Sequence, residues 1–242
     1  MKRSLSLLIV IAISLTACTA APQTAGQPES TPVPSPLPTQ AVPAPTTVSM
    51  TNESPTSTPT TAMGAVYFQI VSEESSVTYE VGETFFNQNN RFNLAVGVTK
   101  TLSGTIFADL NNPSASSIGP VQVDISQFTS DSNRRDNAIR GNWLESSRFP
   151  IATFESTQIE GFPASYVEGQ DYSLKVTGNL TVRETTRQIT FDVITRLEGT
   201  TLSGSAETTI LLSDFNVGPI SIAGVLQTED QARIILQFVA RP

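Results

Sequence analysis

The chain has 242 residues, carries a net charge of −8, and contains no histidine and one cysteine. These values exclude catalytic systems built on histidine, zinc sites with the usual nitrogen and sulfur ligands, and any disulfide within the chain. The negative charge argues against a nucleic-acid partner, because phosphate backbones are bound by clustered lysine and arginine.

The first segment has the features of an export signal. Lys2 and Arg3 precede an apolar stretch, Leu5 to Leu15, that is too short to cross about 30 Å of hydrocarbon as a helix. The stretch ends in LTAC, which resembles the bacterial lipobox and contains the only cysteine, Cys18. We therefore predict that residues 1–17 are a lipoprotein signal peptide and that Cys18 is lipidated. An ordinary secretory signal with a chance cysteine is the alternative.

This prediction implies export and anchoring to the bacterial cell membrane or outer membrane, with the rest of the chain on the extracytoplasmic side. Several acyl chains on one cysteine anchor a protein stably, whereas a single chain binds membranes only marginally.

The next segment, residues 19–64, contains most of the 16 prolines, in runs such as STPVPSPLPTQAVPAPTT. It has no apolar periodicity, so it cannot bury enough surface to offset the entropy of ordering. We predict that residues 18–64 comprise the lipidated cysteine and a disordered tether. A proline-rich ligand for a recognition domain is the alternative.

Residues 65–242 are long enough for one domain with a sizeable core, and their apolar pattern has a period of two. In SVTYEV, the apolar residues Val77, Tyr79 and Val81 alternate with polar ones. In FNLAVGVT, larger apolar residues alternate with small or polar ones from Phe92 onward, which predicts a strand with one apolar face. The same pattern predicts strands at Leu102–Leu110, Val121–Phe128, Ile151–Ile159, Tyr172–Val182, Gln188–Leu197, Thr200–Leu212 and Arg233–Ala240. So many antiparallel strands favour a closed barrel, with a sandwich as the alternative.

One stretch, RRDNAIRGNWL, has helical rather than strand periodicity. Arg135, Ile139 and Trp143 recur at a spacing of four, and Ser130 or Asp131 can cap the helix. We predict a short amphipathic helix over one end of the barrel, with Ile139 and Trp143 pointing inward and the arginines outward. Glycine within the stretch weakens the helix and favours an irregular turn.

The segment RRDNAIRGNWLESSRFPIATFES, with its Arg-Asp pair and its FPxATF tail, resembles the central signature of the YceI-like family, also called polyisoprenoid-binding domains. SSVTYEV, VTGNLTVRETTRQITFDV and TTILLSDFNVG resemble further family segments, in the family's order. The resemblance covers residues 65–242. It implies a lipocalin-like antiparallel barrel of about eight strands, capped by a helical segment, with an apolar interior for isoprenoids or related long-chain lipids.

This chain departs from the family where many relatives have histidines. Glu74 and Glu83 stand near the first strand, and Ala138 stands in the helix, so any ligand contact made by those imidazoles is absent. The apolar residues that can line a cavity or fill an ordinary core are Phe85, Phe92, Phe107, Phe128, Ile139, Trp143, Phe149 and Phe154.

The charged residues of the helix allow two interpretations. Guanidinium groups bind diphosphate or carboxylate in a bidentate manner, so the arginines can hold a lipid head group at the barrel mouth. Alternatively, the charged side chains hold the cap on the strand ends. The residues concerned are Arg134, Arg135, Asp136 and Arg140.

The acidic residues suggest an enzyme only weakly. Glu73 and Glu74 can join Glu80 or Glu83 as a glycosidase-like carboxyl pair, but alternation along the strand favours solvated positions. DLNNP, at Asp109–Pro113, has side-chain oxygens suited to calcium, but its sequence is more typical of a turn. We predict no catalytic residue, no metal site and no required cofactor.

Three classes of function remain. The favoured one is a lipid-binding carrier or reservoir, with a long-chain lipid as ligand and the membrane as partner through Cys18. The alternative is a non-enzymatic cell-surface interaction or structural module with a filled core. An enzyme is the third.

Overall fold

The computed structural model describes residues 64–242. The predicted signal peptide, the anchor Cys18 and the tether up to residue 63 lie outside the described residues. Between residues 64 and 242, no helix has the length and apolar character needed to span a membrane.

The described residues form one antiparallel sheet of 13 strands and one short α-helix. The helix, α1, is Asn133–Ala138, and a π-helical turn, Ile139–Trp143, continues it. The strands are Ala65–Ile70 (β1), Ser76–Phe85 (β2), Arg91–Thr99 (β3), Leu102–Ser103 (β4), Thr105–Asp109 (β5), Ser117–Ile118 (β6), Val121–Asp124 (β7), Ile151–Glu160 (β8), Asp171–Val182 (β9), Thr185–Glu198 (β10), Thr201–Leu211 (β11), Ser221–Ile222 (β12) and Leu226–Arg241 (β13).

The longest strand of the curled sheet, β13, has different partners along its length. β13 pairs with β11 on one side, and on the other side with β2 and then β1. The path of hydrogen-bonded neighbours starts at β4, passes through β7 to β11 in order, and reaches β5 through β13 and β1. Since β4 and β5 are separated only by Gly104, the two arms of the curled sheet meet at this residue.

The predicted fold class is confirmed, although the strand count is higher than the eight expected. Irregularities divide the predicted strands into shorter ones. The predicted strand Val121–Phe128 ends at Asp124, whose carboxylate accepts hydrogen bonds from the backbone N–H and the hydroxyl of Ser126. These bonds stabilise the turn that follows.

The prediction for the apolar face of β3 is wrong. Val81 of β2 lies opposite Ala95, so the inner face of β3 carries small residues, and Phe92 is 58% exposed. The reason lies in the neighbouring strand. A Cβ added at Gly97 would lie 2.6 Å from the phenol oxygen of Tyr79, so the space inside β3 is occupied by that ring.

The core consists of two groups of buried side chains, one toward each end of the curled sheet. Phe68, Val176 and Phe238 belong to the first group. Phe128, Val182 and Phe215 belong to the second, which lies beneath the helical segment. Leu180 and Leu236 pack against both groups, so the apolar interior is continuous from end to end.

Candidate functional site

The interior of the curled sheet contains a cavity of about 500 Å³. This is within the usual range for small-molecule sites, about 300 to 1,000 Å³. Its wall consists mostly of inward-facing apolar residues of the sheet, among them Val81, Val121, Phe191, Ile234 and Leu236.

The helical segment covers one end of the cavity. The Ser132 side chain caps α1 by accepting a hydrogen bond from the Arg135 backbone N–H, so the predicted caps Ser130 and Asp131 are wrong. Ser130 instead donates its hydroxyl and its backbone N–H to Asp136, which is buried. Asp136 therefore fixes the start of the helix to the preceding loop.

The π-helical turn places two predicted residues, Ile139 and Trp143, on the cavity wall. Arg183, from the turn between β9 and β10, donates to the backbone carbonyl oxygens of Trp143 at 2.9 Å and Asn216 at 3.3 Å, and pairs with Glu145. These contacts attach the end of the cap to the strand ends. The sequence around Arg183 gives no indication of this role.

A buried ion pair joins the helix to β2. Arg135 donates to both carboxylate oxygens of Glu83, at 3.0 and 2.9 Å, and Glu83 is only 5% exposed. Asn93 also donates to Glu83, and Arg135 pairs with Asp131. The hydrogen bonds that Arg135 donates to the Glu83 carboxylate are the main reason why the pKa of Arg135 is raised.

Two sequence interpretations need correction at this ion pair. Arg135 does not point outward, because its guanidinium turns toward Glu83 and lines the cavity. Glu83 is not at a solvated position. The alternation along β2 could have predicted that Glu83 faces inward, because it falls on the same face of the strand as Val77, Tyr79 and Val81.

Tyr79 also contributes a polar group to the wall of the cavity. Its ring packs edge-on against Phe128, with 5.1 Å between the ring centroids. Burial raises the pKa of Tyr79 to about 12, and the nearby negative charge of Asp136 adds to the shift. The phenol is therefore neutral at physiological pH.

The remaining arginines of the cap differ in their surroundings. Arg140 donates to the Phe128 carbonyl oxygen and to the Asn137 side chain, both at 3.0 Å, and does not line the cavity. Arg134 is exposed and lines the cavity, and it forms no ion pair with any residue of the described range. Arg134 is thus the cap arginine available to a ligand.

Five of the eight predicted apolar residues line the cavity. They are Phe85, Phe128, Ile139, Trp143 and Phe154.

The other three do not line the cavity. Two of them lie at outward-facing positions of their strands, and the third belongs to a loop. Phe92 is on the outer face of β3, and Phe107 packs on Tyr67 at 4.9 Å between centroids. Phe149 lies between the guanidinium groups of Arg148 and Arg183.

The acidic residues that could have formed a glycosidase-like pair are held in separate contacts. Glu74 pairs with Arg241, and Glu80 pairs with Arg233 on the outside of the sheet. Within the part of the chain that the structure describes, no group of three or more His, Cys, Asp or Glu side chains could hold a metal ion.

The described residues thus form a curled antiparallel sheet with an apolar cavity and a helical cap. The model of the YceI-like domain family matches residues 68–240. The chain therefore belongs to the YceI-like family.

Among curated relatives, Protein YceI of Salmonella newport is 30% identical over 179 residues, which cover 65% of this chain and 89% of the relative.

Two solved structures share the fold. BcnA of Burkholderia cenocepacia aligns with a TM-score of 0.55 and 23% identity, covering 70% of this chain and 98% of BcnA. A polyisoprenoid-binding domain from Saccharophagus degradans, implicated in plant cell wall breakdown, aligns with a TM-score of 0.55 and 13% identity, covering 72% of this chain and 97% of that domain.

Proposed function

We propose that this protein binds lipid on the extracytoplasmic side of a bacterial membrane and holds an isoprenoid or another long-chain amphiphile as a carrier or reservoir. The apolar cavity of about 500 Å³ carries this proposal, because a cavity so lined has little to offer a polar ligand. The description of the Saccharophagus degradans domain as polyisoprenoid-binding supports the same class of ligand.

Apolar burial supplies enough free energy for such binding. Burying about ten methylene groups at roughly 0.8 kcal/mol each gives about 8 kcal/mol before ordering costs. A gross affinity near the micromolar level follows. The chain of the ligand therefore dominates the affinity, and Arg134 at the mouth adds selection for an anionic head group.

The protein contains one tryptophan, and this tryptophan lines the cavity. Its fluorescence therefore reports occupancy. Titration with a long-chain lipid that carries a dansyl group should give saturable energy transfer from Trp143, and unlabelled isoprenoid alcohol should reverse it. Transfer that does not saturate, or that the alcohol does not displace, would contradict binding in the cavity.

We also propose that Cys18 is the membrane anchor, on the basis of the LTAC motif after a short apolar stretch. In a bacterial host, the Cys18→Ala protein should leave the membrane fraction, whereas the wild-type protein should stay in it. If the variant fractionates as the wild type does and keeps its signal peptide, the lipoprotein proposal fails.

A further inference from the structure

Three exposed apolar side chains of the β2–β3 hairpin and one of β12 form what we call the apolar rim: Phe86, Phe92, Leu94 and Ile222. Their exposed fractions are 45%, 58%, 49% and 39%. Ile222 also lines the cavity, as do Phe85 and Asn87 on either side of Phe86. Contiguous exposed apolar surface on a soluble domain marks an interaction site more often than scattered single residues do.

The apolar rim is part of a defined local structure. Phe86 and Phe92 flank the tip of the β2–β3 hairpin, and Ile222 begins the loop that leads into β13. The Phe86 backbone N–H donates to the Val225 carbonyl oxygen at 2.9 Å, which ties the hairpin tip to this loop. The hairpin tip and this loop therefore lie together beside the cavity, and Phe92 and Leu94 extend the exposed apolar surface along the outer face of β3.

We propose that the apolar rim docks the cavity mouth onto a lipid bilayer, so that a lipid passes between the bilayer and the cavity without crossing water. This inference rests on the proposed lipid-binding function. A long-chain lipid that left the membrane through water would expose all its methylene groups at once. A mouth that enters the head-group region avoids that cost.

The surroundings of the rim favour a bilayer as its occupant. Arg91, at 5.5 Å over the Phe85 ring, and Arg134 lie beside the mouth, and neither forms an ion pair with a residue of the described range. Both guanidinium groups are placed to contact lipid phosphates at the interface. A second copy of the chain on the same surface would instead close the mouth.

The predicted tether agrees with this occupant. At about 3.1 Å per residue, residues 19–64 span at most roughly 140 Å. An anchor at Cys18 would therefore hold the domain close enough to the membrane for repeated contact.

The test uses residues 19–242, which retain every described residue and lack the anchor cysteine. Vesicles of phosphatidylcholine are the probe, because a protein with an excess of acidic residues is not drawn to them by long-range electrostatics. The wild-type protein should float with the vesicles, and the double variant Phe92→Ser, Leu94→Ser should float about tenfold less or weaker still. Ile194→Ser is the matched control, because Ile194 is 53% exposed on β10 and lies away from the mouth.

A second measurement follows transfer of a dansyl-labelled lipid from the vesicles to the cavity, read as energy transfer from Trp143. The double variant should take up the lipid about tenfold more slowly than wild type, whereas Ile194→Ser should match wild type. All variants should load equally from detergent micelles, which confirms that their cavities are intact. Phe86→Ser, at an exposed rim residue that does not line the cavity, provides an independent rim variant if the double variant unfolds.

The outcomes separate the two proposals. Flotation without uptake from vesicles or micelles would refute lipid binding and leave docking intact. Loading from micelles with no flotation, and with transfer independent of Phe92 and Leu94, would overturn the docking inference. Conversion of a dimer to a monomer by the rim substitutions, with transfer unchanged, would also overturn it and assign the surface to contact between copies.

Discussion

At the scale of single residues, the cap combines two kinds of contact with the cavity. Trp143 and Ile139 supply apolar surface, whereas Arg134 supplies an exposed charge at the mouth. Arg135 is committed to Glu83 and Asp131, so its charge is neutralised within the protein. The affinity for a long-chain ligand should therefore depend on the apolar residues, and selection for the head group on Arg134.

Trp143→Ala should weaken binding of a long-chain lipid more than Arg134→Ala does. Truncation of the indole removes about 2 to 3 kcal/mol of apolar contact, whereas an exposed cation contributes about 1 kcal/mol or less. Displacement titrations with unlabelled lipid against a dansyl-labelled lipid, read by direct dansyl excitation, measure both variants on one scale. A larger loss for Arg134→Ala, with both variants folded, would mean that the head group dominates.

The buried phenol of Tyr79 makes stability depend on pH in the alkaline range. Its pKa is raised from 10.0 to about 12, so the folded state holds the proton more tightly than the unfolded state does. The stabilisation is complete below pH 10 and is lost as the pH rises toward 12. We expect a loss of up to about 2 kcal/mol over this window.

Chemical denaturation at several alkaline pH values tests this, with Tyr79→Phe as the control. The variant lacks the titrating group, so its stability should fall less than that of the wild-type protein. Equal slopes for the two proteins would exclude Tyr79 as the source.

At the scale of elements, the strands pack so closely that two of them require glycine. Gly178 of β9 faces Phe154, and an added Cβ would lie 2.6 Å from the Cζ atom of that ring and would overlap the Glu155 carbonyl oxygen. A backbone atom cannot move aside as a flexible side chain can. A Cβ added at Gly204 of β11 would overlap the Ile194 carbonyl oxygen in the same way.

Gly178→Ala should lower the free energy of unfolding by about 1 to 3 kcal/mol, because it overpacks a site bounded by backbone. Gly141→Ala is the control, since nothing lies within 4 Å of its added Cβ, and alanine favours a helical conformation. Thermal unfolding of the two variants and the wild-type protein measures this difference in stability. A Gly178→Ala protein as stable as wild type would show that β8 and β9 can separate freely.

The sequence predicted the strand positions better than the directions of side chains within them. Alternation identified β2 and its inward residues correctly, but in β3 the larger apolar residues face out, because the Tyr79 ring occupies the space inside. That ring position depends on strand pairing, which a local pattern does not contain. The bond between Glu83 and Arg135 joins residues 52 positions apart, so local periodicity could not reveal it.

The cap could be predicted in part. Helical spacing placed Ile139 and Trp143 on the cavity side, in agreement with the structure. The irregular turn near Gly141 was also expected, and it is a π-helical turn. The contacts that hold this turn come from Arg183 in a distant hairpin, and nothing in the segment itself indicates them.

At the scale of the whole molecule, the described residues, 64–242, contain 13 strands and two apolar core groups. The protein that begins at Gly64 should unfold within a few degrees of the protein that begins at residue 19, because the sequence of the removed segment has no apolar periodicity. Calorimetry of the two proteins provides the comparison. A much lower unfolding temperature for the shorter protein would mean that the preceding segment packs on the domain.

The inward-facing side chains of the strands form the wall of the cavity, the cap covers one end of it, and we propose that the apolar rim directs it toward a membrane. The proposed function depends most directly on whether a lipid occupies this cavity. Native mass spectrometry of residues 19–242, purified without detergent, measures it directly. We predict one long-chain lipid per domain, removed by solvent extraction and replaced by added isoprenoid alcohol. Protein from several hosts that carries no lipid, and that binds no long prenyl or acyl probe at high micromolar concentration, would contradict the account.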